Sequence, residues 1–133
     1  MTLNIRVIAP DKTVWSASSE EVILPSSTGQ LGILQGHIPL LTALDIGVMR
    51  VRVKKSWKPI VLFGGFAEIE KDRVTILVNA AEETHEINAE ECQKNLEESI
   101  DALSRVISNK EKIEATQNIR KARARLQALA SIS

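Results

Sequence analysis

Tyrosine is absent from this 133-residue chain, and two Trp and two Phe are its only aromatics. Any core must therefore be aliphatic, drawn from the 44% of residues that are hydrophobic. Cysteine is nearly absent too. Cys92 stands alone, which excludes an internal disulfide and fits a reducing compartment. No apolar run approaches the roughly 18 residues of a membrane span. Neither sign of charge is in excess, since 17 Lys and Arg balance 17 Asp and Glu. The chain as a whole is thus no binder of nucleic acid or of an anionic membrane. Its opening residues hold neither a signal-peptide apolar segment nor an Arg/Ser-rich transit segment. A soluble chain made in its working compartment is expected, reaching a membrane only through a partner. The length allows one medium domain, or a small domain plus an appendage.

The first two thirds read as short strands. Leu3, Ile5 and Val7 alternate with Asn4, Arg6 and Ile8, and Pro10-Asp11-Lys12 reads as a turn. Short β-prone stretches follow at Thr13–Ser16 and Glu21–Leu24, the second ended by Pro25-Ser26-Ser27. From Gly29 to Asp45, three glycines and Pro39 break an apolar run. This predicts a rigid surface loop with Leu31, Ile33 and Leu34 buried, and Gln30, Gln35 and His37 facing out. Gly47–Val53 alternates again, and Lys54–Lys58 reads as a polar hairpin connection. Ile60–Phe63 is a buried strand, after which Gly64-Gly65 marks a bulge or a close backbone approach. Lys71-Asp72 is a turn, and Arg73–Asn79 closes the series with Val74, Ile76 and Val78 on one side. Evenly spaced strands without intervening helices predict an antiparallel sandwich or flattened barrel.

The pattern then changes. From Asn88 to Ser133 there is no Gly and no Pro. Asn88, with Glu91 three residues on, reads as a helix cap. Ala89, Cys92, Leu96, Ile100, Leu103 and Ile107 form one helical stripe, Ser108-Asn109 a break, and Ala115, Ile119, Ala122, Leu126, Leu129 and Ile132 a second stripe. Two amphipathic helices in an antiparallel hairpin follow. Residues 88–108 carry a net charge of −3, and residues 109–133 one of +4. The first helix is acidic and the second basic, so the two are expected to attract one another.

Chemistry is hard to place on this chain. His37 and His85 lie far apart and in no metal-ligand spacing, and Gly29-Gln30-Leu31-Gly32 lacks the Lys-Ser/Thr of a phosphate loop. A non-enzyme without cofactor or metal is expected. Cys92 reads as a small core residue. Arg120, Lys121, Arg123 and Arg125 flank and oppose the second stripe, so they remain available to an acidic protein partner once that stripe is packed. Nucleic acid fits them less well, because no aromatics accompany them. The residues alone leave open a scaffold or adaptor with a helical protein-binding tail, and more remotely an RNA-associated factor using the second helix.

The spacing Gly-x-x-Gly-x-Leu-x-x-His-x-Pro-x-x-Thr resembles one family closely, the epsilon subunits of the rotary ATP synthase. Asp45-Ile46-Gly47, Gly64-Gly65-Phe66-Ala67, Val74–Val78 and Ala122–Leu126 extend the likeness over the whole chain. Met1–Asn4 with Trp15, and the closing Ile132-Ser133, look most like the plastid form, which needs no transit peptide. The resemblance implies a sandwich of two five-stranded sheets over residues 1–86 and a helical hairpin over 87–133. It implies that Gln30, Gly36, His37, Ile38 and Pro39 rest on the polar loops of the membrane rotor ring. Another side of the sandwich would bind the gamma subunit. The hairpin would open transiently, and Arg120, Lys121, Arg123 and Arg125 would contact the catalytic beta subunit among the alpha and beta subunits and inhibit ATP hydrolysis. The chain would lie on the stromal side of the chloroplast thylakoid membrane. Gln35 stands where many relatives carry Pro. Some bacterial relatives bind ATP through an Ile/Leu-Asp-x-x-Arg-Ala motif, and here Asn88 and Glu91 replace its Asp and Arg, which implies no physiological ATP binding.

Overall fold

A computed structural model describes residues 2–10 and 12–131. Asp11 of the first turn, Met1, Ile132 of the second stripe and Ser133 lie outside the described residues. Among the described residues eight strands come first: β1 (Leu3–Ala9), β2 (Lys12–Ser19), β3 (Glu21–Ser26), β4 (Gly29–Leu34), β5 (Leu40–Val53), β6 (Ser56–Glu70), β7 (Arg73–Val78) and β8 (Ala81–Glu83). A single 3-10 turn (Thr84–Glu86) leads into helices α1 (Ala89–Arg105) and α2 (Asn109–Ala130). Among the described residues no helix is long and apolar enough to cross a membrane.

Hydrogen bonding runs continuously in the order β2-β1-β7-β6-β5-β3-β4, with β8 also on β6. The two long strands resolve this path into two layers. Leu40–Leu44 of β5 pair with Gly65–Ile69 of β6, and these halves sit beside β7, β1 and β2. Ile46–Val53 pair with Ser56–Phe63, and those halves sit beside β3, β4 and β8. Each layer thus has five strands, two of them shared. Leu3, Ile5, Val7, Ile69, Val74 and Ile76 of one layer pack in a single cluster with Val22, Leu24, Ile33, Met49, Ile60 and Leu62 of the other. The architecture is a β-sandwich followed by two helices. One ladder departs from the all-antiparallel expectation: β1 and β7 run parallel.

The predicted Gly29–Asp45 loop is mostly strand. Leu31 and Ile33 lie opposite Leu24 and Val22, so burial at every second residue makes β4, a strand at the sheet's edge, with Gly32 on the outward phase and Gly29 at its first residue. That phase leaves Leu34 exposed, against expectation. Only residues 35–39 remain as loop. Likewise β3 runs through Pro25 to Ser26, and only Lys54 and Lys55, both at positive φ, turn the β5–β6 hairpin.

Asn88 caps α1, its side-chain oxygen accepting from the Glu91 N–H at 3.0 Å, and Ser108 caps α2 by accepting from the Glu111 N–H at 3.1 Å. The helix pair has Cys92 against Ala122, the thiol donating to the Ala122 carbonyl at 3.3 Å. Burial raises the Cys92 thiol pKa, which keeps it protonated at neutral pH, as suits a core residue. Ile107 does not join the stripe. The first helix ends at Arg105, Val106 is extended, and Ile107 is 98% exposed in the turn. Helix α2 has a second apolar face that the stripe did not reveal. Ala124 and Ala128 are buried against Val48, Val61 and Phe63 on the outer face of the second layer. This is why Ile60–Phe63 is buried on both sides.

Candidate functional site

Residues 35–39 form a short, firmly held projection. The His37 N–H donates to the Leu34 carbonyl at 3.2 Å, and the Gly36 N–H to the Asp72 carboxylate at 2.7 Å. Gly36 takes φ +83°, a conformation open to glycine, so Asp72 on the β6–β7 turn anchors this loop where Pro is missing at 35. The half-buried His37 has Nδ1 at 2.7 Å from the Ile38 carbonyl oxygen; a carbonyl only accepts, so Nδ1 carries the proton. Outward the loop offers Gln35 and an apolar tip: Ile38 is 74% exposed, with Pro39 exposed beside it and Leu41 exposed at the start of β5. Gln30 is exposed but lies on β4, separate from the loop proper.

The four basic residues of α2 are not equivalent. The Arg125 guanidinium grips Glu82 with two parallel bonds, Nε to Oε1 at 2.7 Å and Nη2 to Oε2 at 2.9 Å. It also lies 5.0 Å from the centre of the Phe63 ring, and the Glu82 hydrogen bond raises its pKa further. Arg120 pairs with Asp45 at 3.7 Å, and the Lys121 ammonium lies 5.8 Å from the Phe63 ring centre. Arg123 is exposed. Three of the four side chains are therefore turned onto the sandwich. They border a cavity of about 420 Å³ with Asp45, Gly64, Asn79 and Glu82. Among the described residues no ion pair joins the two helices: the close ion pairs of α2 are with Asp45 and Glu82 on the strands, and Glu91 of α1 adds only a longer-range attraction for Arg125. Glu82, Glu86 and Glu91 surround a second, smaller cavity with Asn88, and its one guanidinium, Arg125, is already taken by Glu82. Three carboxylates there disfavour a nucleotide phosphate. Glu83, His85 and Glu86 bring one ligand atom each within 4.8 Å, and Glu83 is already held by Lys58.

Sequence patterning missed one surface. Pairing sets Ile8, Leu77, Phe66 and Ala43 in a single row across four strands on the outer face of the first layer. Phe66 and Leu77 are more than half exposed, and neither helix has apolar residues packed on this face. The signal was legible: with Val74, Ile76 and Val78 inward, a large apolar Leu77 falls on the polar phase.

Residues 2–84 match the family model for the ATP synthase delta/epsilon chain, beta-sandwich domain. The chain is 71% identical over 128 residues to the chloroplastic ATP synthase epsilon chain of Pyropia yezoensis, spanning 96% of both. It belongs to the ATP synthase epsilon-chain family. Against the chloroplastic epsilon chain of Porphyra purpurea it is 68% identical, covering 100% of this chain and 99% of that one. Its fold matches a chain in the Euglena gracilis mitochondrial ATP synthase, OSCP/F1/c-ring, with a TM-score of 0.85 at 21% identity, covering 97% of this chain and 81% of that one. An epsilon chain is a stalk subunit of the synthase rather than a catalytic one.

Proposed function

We propose that this chain is the central-stalk epsilon subunit of a chloroplast F-type ATP synthase, on the stromal side of the thylakoid membrane. The sandwich, residues 1–86, seats on the polar loops of the membrane ring through Gly36, His37, Ile38 and Pro39, with Gln30 beside them on β4. It binds gamma through the outer face of its first layer. The hairpin, residues 87–133, inhibits ATP hydrolysis when Arg120, Lys121, Arg123 and Arg125 meet the catalytic beta subunit. The reading is carried by the anchored loop, which holds an apolar side chain in solvent at one end of a rigid aliphatic block. A monomer has no use for that arrangement and an interface does.

The gamma contact is tested at the unpartnered row. Phe66→Ser together with Leu77→Ser is expected to weaken binding to purified gamma subunit by roughly thirtyfold or more, since exposed aromatic anchors dominate such interfaces. Thermal unfolding stays within a few degrees of the parent, because both side chains already face water. Undiminished gamma binding would move the contact elsewhere. For inhibition, Ala at Arg120, Lys121, Arg123 and Arg125 together is expected to leave assembly intact and relieve latent ATPase inhibition. Full inhibition by that variant would exclude the basic helix as the inhibitory element.

A further inference from the structure

The hairpin rests on the sandwich through an apolar contact of small side chains. Ala124 and Ala128 cover Val48, Val61 and Phe63, with Ile46 and Ile87 at the margin. The two alanines bury Val48, Val61 and Phe63 almost completely, but a contact of small groups is non-directional and does not by itself fix α2. Ion pairs complete the contact. Glu82 belongs to β8 and Asp45 to β5, and both grip α2 rather than α1. The Arg125–Glu82 pair is the stronger: it is bidentate, only 27% of each side chain is exposed, and Phe63 covers the guanidinium. Arg120–Asp45 is single, at 3.7 Å with about half of each side chain in water, and contributes less.

Resting on the reading that α2 is an inhibitory element, we infer that Glu82, assisted by Asp45, is a built-in competitor for the guanidinium groups that engage an acidic partner. Arg125 cannot grip Glu82 and an acidic partner in the same bidentate fashion at once, so docking and inhibition exclude one another. Glu82 sets the balance. The device is electrostatic and partly exposed, so rising ionic strength shifts it toward the open hairpin.

The test uses the full chain with Cys92→Ala and fluorophores on Ser18→Cys and Ser104→Cys, one on the sandwich and one on the hairpin. Energy transfer reports docking, and inhibition of the epsilon-free soluble catalytic complex is measured in parallel. Glu82→Gln is expected to raise the open-to-docked ratio about tenfold, with Asp45→Asn adding a smaller factor. The exchange Glu82→Arg with Arg125→Glu should return the docked distance, which a merely structural role for Glu82 would not do. Opening without stronger inhibition would support the competitor and overturn the inhibitory reading. A distance unchanged in Glu82→Gln from low to high salt would overturn the competitor itself, whatever the inhibition assay gives.

Discussion

Gly65→Ala is expected to lower the unfolding free energy by about 3–5 kcal/mol, combining backbone strain with overpacking. A Cβ at Gly65 would lie 2.0 Å from the Leu77 carbonyl oxygen and 2.8 Å from the Val78 Cα, both backbone atoms without freedom to move. The residue also takes φ +147°, which side-chain-bearing residues rarely adopt. Gly32 supplies the control. No atom lies within 4 Å of a Cβ built there, so Gly32→Ala should change stability by under about 0.5 kcal/mol. Urea unfolding of the two variants checks both figures. Equal midpoints would mean that β6 and β7 separate at Gly65 at little cost.

The second large effect concerns function. Ile38→Asp is expected to weaken seating on the ring by roughly thirtyfold and to cut proton-driven ATP formation by the reconstituted synthase correspondingly. A carboxylate at that position meets water freely in the isolated chain, because Ile38 is 74% exposed. In a closed contact it must shed that water without a partner. The melting temperature of the isolated subunit should move by no more than about 2 °C, a small shift typical of exposed sites. The assay therefore separates a lost contact from a lost fold. Normal ATP formation by Ile38→Asp would remove the 35–39 loop from the coupling path.

Much of this molecule was legible in its sequence because burial alternates where strands are and recurs every three or four residues where helices are. Leu3, Ile5 and Val7, and likewise Met49 and Val51, lie inward as the period requires. Asn88 and Ser108 sit at the helix starts, where their side chains cap. The misreadings have physical causes. Gly29 at the start of β4 and Gly32 on its outward phase hid its alternation and made a strand look like a loop. The parallel ladder between β1 and β7 depends on which strands meet across the chain, which no local pattern records. Ala124 and Ala128 are too small to stand out among Arg123, Arg125 and their neighbours, so the sandwich-facing side of α2 stayed concealed. That omission governed the candidate site. With one apolar stripe, Arg120, Lys121 and Arg125 read as free; with two, they fall on the margin of the second and meet Asp45, Glu82 and Phe63. A pair such as Arg125 with Glu82, 43 residues apart, is invisible until the fold brings it together.

The strands shared by both layers have a mechanical consequence. β5 and β6 pass from one layer to the other without a break, skipping a single pair at Asp45 and Gly64. β7 and β8 keep one register on β6 across Asn79 and Ala80. Three adjacent segments therefore cross the fold line side by side as continuous polypeptide. A twisting load applied to one layer reaches the other through peptide bonds in tension, rather than by slippage between greasy surfaces. A block wired in this way resists shear through its backbone as well as through its aliphatic core.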